Sequence, residues 1–151
     1  MNDITLGKIN IEEVLKYLGH KGGNIQKEDI EEIYKISEIA IKIAQPKYCF
    51  MEFPIEILED GVNVLGTTLF LKGNDIKNHL TNSKSCVLFA ATLGLEIDKY
   101  LRGNVYDIKN TLIFDCCASS LVESLCDEFE DILRKEKMSE GLFLTSRFSC
   151  G

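Results

Sequence analysis

Arg147 stands in the run Thr145-Ser-Arg-Phe-Ser-Cys-Gly151, the stretch of this chain with the most ligand-directed chemistry. A guanidinium is a fixed fork of donors that matches a carboxylate. Glycine lets main-chain N–H and C=O groups approach a ligand with no Cβ in the way. Arg147, Phe148, Ser149, Cys150 and Gly151 therefore form a candidate grip for the amino-acid end and adenine edge of a nucleoside ligand. On its residues alone the same run also reads as a solvated arginine before a frayed chain end. A second candidate lies upstream. Glu123, Asp127 and Asp131 recur every fourth residue and make an acidic stripe on one helix. Asp127 and Asp131, close to Arg134 and Lys135, read as a solvated face, whereas Glu123 adjoins a run of small residues and is the candidate partner for a ligand ammonium.

Other chemistry is weaker or excluded. Cys116 and Cys117 are adjacent, so on a helix they point about 100° apart and read as small buried hydrophobes. Cys150 sits in the candidate grip, which keeps open an unrelated enzyme with a cysteine nucleophile. Thr92-Leu-Gly94 falls where a strand turns into a helix, a place that favours anions and polar ligand groups. The loop Gly19-His-Lys-Gly-Gly23 lacks the Gly-Lys-Ser/Thr ending of a phosphate loop, and His20 reads as a surface residue. Six cysteines and two histidines show no Cys-x-x-Cys pair and no zinc spacing, so no metal site is expected. Neither a Ser-His-Asp set nor a dinucleotide fingerprint can be assembled.

The elements that must position these residues follow from spacing. Asn10, with Glu13 three residues on, predicts a capping box at the start of a first helix that stops at Gly19. A helix over roughly Lys27 to Ala44 carries Ile30, Ile33, Tyr34, Ala40, Ile41 and Ala44 as its apolar face, and Pro46 ends it. Tyr48 to Ile55 predicts a strand buried on both faces. Glu59-Asp-Gly61 predicts a turn, and Val62 to Leu71 a second extended segment bent at Gly66. A short helix spans Ile76 to Leu80, a buried strand Ser85 to Thr92, and a helix runs from Leu95 to Gly103. The longest helix, about Asp107 to Lys135, places Ala118, Val122, Leu125, Phe129 and Ile132 on one stripe, with Cys116 to Ser120 in the densest packing. Gly141 to Arg147 predicts a last strand. Helices and strands do not alternate regularly, which favours antiparallel pairing and the α+β class.

Composition narrows the function classes. With 151 residues, 45% hydrophobic and 27% charged, the chain fits one globular domain. A net charge of -7 repels phosphate backbones, so no nucleic-acid partner is expected. The start, Met1-Asn-Asp-Ile-Thr, has neither a basic region nor an apolar core of a signal peptide, and no run approaches the ~18 apolar residues of a membrane span. The expectation is a cytoplasmic protein with no membrane partner and with reduced thiols.

Four blocks then fall into a known order. Ile11-Glu-Glu-Val-Leu-Lys-Tyr-Leu-Gly19, Ala90-Ala-Thr-Leu-Gly94, Ala118-Ser-Ser-Leu-Val-Glu123 and Arg147-Phe-Ser-Cys-Gly151 resemble the activation domain family of vitamin B12-dependent methionine synthase, in its freestanding short form. The last block is similar to the family's Arg-x-x-x-Gly-Tyr motif. The family's tyrosine would follow Gly151, so the reading is one activation-type domain over residues 1–151 that is C-terminally incomplete. The resemblance implies an α+β fold, a twisted antiparallel sheet with flanking helices. It implies a module that binds S-adenosylmethionine and supports reductive methylation of cobalamin held by a partner, a methionine synthase or related corrinoid protein. An electron donor protein reduces the oxidised cobalt, and S-adenosylmethionine supplies the methyl group. Carried over by motif, Arg147 and Gly151 contact the ligand's amino-acid part and Glu123 is the acidic partner. The alternative is a docking or scaffold subunit for a corrinoid protein that does not use S-adenosylmethionine. An exposed sheet edge would also leave a route to a homo-oligomer.

Overall fold

The computed structural model describes residues 9–20 and 25–149. Cys150 and Gly151, two of the grip residues, and most of the Gly19–Asn24 loop lie outside them. Helix α1 (Ile11–Tyr17) starts where the Asn10 carbonyl oxygen Oδ1 accepts the N–H groups of Glu12 and Glu13 at 3.1 and 3.3 Å. That cap satisfies donors the helix cannot pair internally. Only half of the expected capping box forms, because the Glu13 carboxylate turns away to Tyr17 and Ser120. Helix α2 (Lys27–Ile43) buries Ile33, Ile36, Ser37 and Ala40. Its face is rotated from the expected one: Tyr34 is 54% and Ile41 39% exposed.

Strand β1 (Lys47–Leu58) turns at Glu59-Asp60 into β2 (Gly61–Val64), pairing antiparallel from Ile55↔Val64 to Leu58↔Gly61. The expected bent segment is two strands: β2 reverses through residues 65–69 and pairs antiparallel with β3 (Phe70–Lys72). Thr67 drives the reversal, its hydroxyl donating to Val64 O at 2.8 Å and accepting from Leu69 N at 3.0 Å. Gly61 is required by close approach, since a Cβ there would lie 2.3 Å from Leu71 O. Helix α3 (Asn74–Leu80) follows, then β4 (Ser85–Thr92), α4 (Leu95–Gly103) and α5 (Ile108–Ser139). The sheet order is β3-β2-β1-β4. Gln45 N donates to Leu93 O and Ile55 N to Lys84 O, so the partner number falls as the chain advances and β4 runs antiparallel to β1. The chain is thus α+β with a four-stranded antiparallel sheet.

Two compact units share the chain, residues 1–47 with 91–133, and residues 48–90 with 134–151. The first is centred on Val14, Ala40, Phe114, Cys117 and Leu121, each 0% exposed, with Tyr100 stacked on Phe114 at 4.1 Å. The small run Cys116 to Ser120 lies in that core, as its side-chain sizes predict. The second packs Ile76 and Leu80 of α3 against Val62, with Ile55, Ile57 and Leu71 around them. Only Phe53, Ile55 and Ile57 of β1's second half alternate inward, while Phe50 and Met51 are exposed, so β1 is not buried on both faces. β4, at the sheet's edge, is half-buried where a buried strand was expected. Among the described residues no helix is long and apolar enough to cross a membrane.

Candidate functional site

The C-terminal segment owes its course to the way α5 ends. Leu142 N donates to Lys137 O at 2.9 Å and Gly141 N to Met138 O at 3.1 Å, the paired bonds of a Schellman motif. That motif needs a left-handed residue, and Gly141 supplies it with φ 76°. Beyond it, residues 142–149 form no strand, contrary to the strand expected for Gly141 to Arg147. A strand needs a neighbour to ladder with, and this stretch is tied by side chains instead. Arg134 Nη1 donates to Leu144 O at 3.2 Å. The His79 ring, in the last turn of α3, reaches Ser146 O with Nε2 at 2.9 Å and packs at a tilt against Phe148 with centroids 5.4 Å apart. Arg147 is half-buried and its Nη1 is out of contact with water, Ser149 is exposed, and Phe143 is 88% exposed.

A charged cluster braces the same unit. Lys137, its side chain 15% exposed, bridges Glu52 and Glu140, each at 2.9 Å. Glu52 also accepts the Ser85 hydroxyl at 2.6 Å. The hydrogen bonds from Ser85 and then Lys137 hold the Glu52 carboxyl below the usual carboxylate range. The same bonds to Glu52 and Glu140 raise the Lys137 ammonium above the ordinary lysine value.

Glu123 belongs to the first unit. It is half-buried on α5, near a hydrogen-bonded group in which Glu13 accepts the Tyr17 hydroxyl at 3.3 Å and the buried Ser120 hydroxyl at 2.8 Å. Burial raises the Tyr17 phenol, and the charges of Glu13 and Glu123 add to it. Asp127 and Asp131 are exposed, in keeping with a solvated face. Burial pushes the Cys117 thiol up to about 12 and also raises Cys116, so both are packing groups rather than nucleophiles at neutral pH. Two shallow hollows beside α2 and α5 include none of the expected site residues. One, of about 450 Å³, has Leu15, Leu18, Ile33 and Leu112 on its walls, with Lys109 on the rim paired to Asp29 and Glu32.

No family model matches this chain, and no curated protein matches it. Among the described residues no three His, Cys, Asp or Glu side chains come together as a metal site would require. His79, Glu13 and the Lys137–Glu52 pair were not legible as site residues. His79 meets Ser146 across 67 positions and Glu13 meets Ser120 across 107, and no local spacing encodes such meetings.

Proposed function

We propose that this chain is an S-adenosylmethionine-binding reactivation module that supports reductive methylation of cobalamin in a B12-dependent methionine synthase or related corrinoid methyltransferase system. The reading is supported by the four sequence blocks in family order. The observation that carries it is the segment 142–149, tied down by side-chain anchors and outside the sheet, with Arg147 half-buried within it. Leu144 O and Ser146 O are taken by side chains, but the segment's backbone is not committed to a strand ladder, which leaves it other main-chain groups to offer a ligand. The donor set fits the ligand: a guanidinium for its carboxylate, main-chain groups for the adenine edge, and the Phe148 ring for an apolar contact. The chain's task is to bind and orient the methyl donor. The corrinoid of the partner protein, when bound, supplies the metal centre that takes the methyl group.

Titration calorimetry with S-adenosylmethionine tests the reading. Binding is expected, and Arg147→Ala should weaken it about tenfold or more, the effect of one charge-assisted pair. Failure to bind at millimolar ligand with a cobalamin protein present would sink it. The docking-subunit reading draws on exposed apolar side chains in the same segment, Phe143 at 88% and Leu142 at 49%. It predicts capture of a corrinoid protein that is indifferent to S-adenosylmethionine and to Arg147→Ala.

A further inference from the structure

We propose that His79 is the positioning residue of the Arg147 segment, a side chain that acts through the backbone it holds. Its purpose rests on the ligand-binding reading above, while its geometry stands independently. Residues 142–149 have no strand ladder, so side-chain anchors set their course. A carbonyl oxygen only accepts, so the bond to Ser146 O requires a proton on His79 Nε2. Thr145 Oγ1 lies 3.4 Å from the same nitrogen and donates its own proton to Ser146 O at 3.3 Å. On the other side of Arg147, the Phe148 ring packs on the imidazole at 5.4 Å with the planes tilted by 43°. One ring therefore grips the chain immediately before and immediately after the arginine. The ring itself stands on a fixed base, because Ile76 and Leu80, on the same short helix, are each only 7% exposed in the core of this unit. Site side chains are most accurately placed when a second layer of contacts locks them, and His79 is that layer for Arg147.

Trypsin reads the latch directly. Cleavage after Arg147 requires the segment to leave its anchors, so the rate follows the opened population. Mass spectrometry of the product is expected to show His79→Ala cut about tenfold faster than wild type, the worth of one hydrogen bond. His79→Gln, whose amide N–H reaches about as far as Nε2, should restore slow cleavage. His79→Asn, which reaches only as far as Nδ1, should not. Phe148→Ala leaves α3 untouched and should also speed cleavage, which keeps the test open if a His79 variant misfolds. Equal rates for wild type, His79→Ala and Phe148→Ala would overturn the proposal, as would a glutamine variant as fast as the alanine one. Calorimetry with S-adenosylmethionine on the same proteins should weaken in the same order. Unchanged binding alongside faster cleavage would overturn the positioning role. A wild type that binds no S-adenosylmethionine would overturn the function reading alone, and the cleavage series would still judge the latch.

Discussion

Glu52 shows what a single carboxylate does in the second unit: it joins β1 to β4 through Ser85 and to the end of α5 through Lys137. Its pKa is depressed in the folded protein, so its contribution is present above the unfolded value and is lost as pH falls through the folded one. Thermal melts from about pH 6 to about pH 3 should therefore show wild type losing more stability than Glu52→Gln, with the two curves converging at the acid end. Parallel curves would mean that the carboxylate contributes nothing. Ser120 makes the corresponding case in the first unit. It is 1% exposed and donates to Glu13. Ser120→Ala should cost about 1–2 kcal/mol in urea denaturation, because it leaves a half-buried carboxylate short of a donor. At this scale the sequence is legible where the chemistry is local. Asn10 caps the helix that its spacing predicts, yet the Glu13 next to it does something only the folded chain reveals. Arg147 was legible as a ligand-type residue, and its setting against His79 was not.

Elements were more legible than partners. Helices α1, α2, α3, α4 and α5 all begin within two residues of the expected starts, because caps, glycines and prolines act on their own neighbourhoods. Faces were read less well, and α5 shows why. Its buried positions include Ile113, Cys117, Leu121, Leu125, Phe129 and Leu133, advancing by four. Four residues overshoot a turn by about 40°, so the buried stripe winds around the helix. A reading in alternating fours and threes assumes a stripe that stays on one side, and it names Ile132 where Leu133 is buried. The terminal strand failed for another reason: apolar alternation shows that a segment can be extended, whereas a strand also needs an available neighbour. The end of α5 offers a direct check. Gly141→Ala places a Cβ at φ 76°, in open space with nothing within 4 Å of the added atom. Its cost of about 1 kcal/mol or more is therefore purely one of backbone conformation. Calorimetric melts of Gly141→Ala beside Gly141→Asn, which tolerates the left-handed region better, should rank alanine as the less stable.

For the molecule as a whole, the composition is that of an ordinary globular core, and among the described residues much of the buried apolar content falls into two clusters. The first draws only on residues of the first unit, and the second on Val62, Ile76, Leu80 and their neighbours in the second. Helix α5 contributes to both units, its residues to 133 in one and from 134 in the other. Stability is then expected to be local rather than uniform, since cooperative units follow contiguous packing. Leu121→Ala opens a cavity at a 0% exposed position, a change that typically costs about 2–5 kcal/mol. Hydrogen exchange should show protection falling in α1, α2, α4 and the first part of α5, with β2 and α3 retaining theirs. Ile76→Ala should do the reverse. Equal loss of protection throughout, from either variant, would mean that the two clusters unfold as one. The outcome bears on function because the Arg147 segment and its His79 anchor both belong to the second unit. If the units open separately, Leu121→Ala should leave cleavage after Arg147 at the wild-type rate, whereas Ile76→Ala, which loosens the helix under His79, should accelerate it.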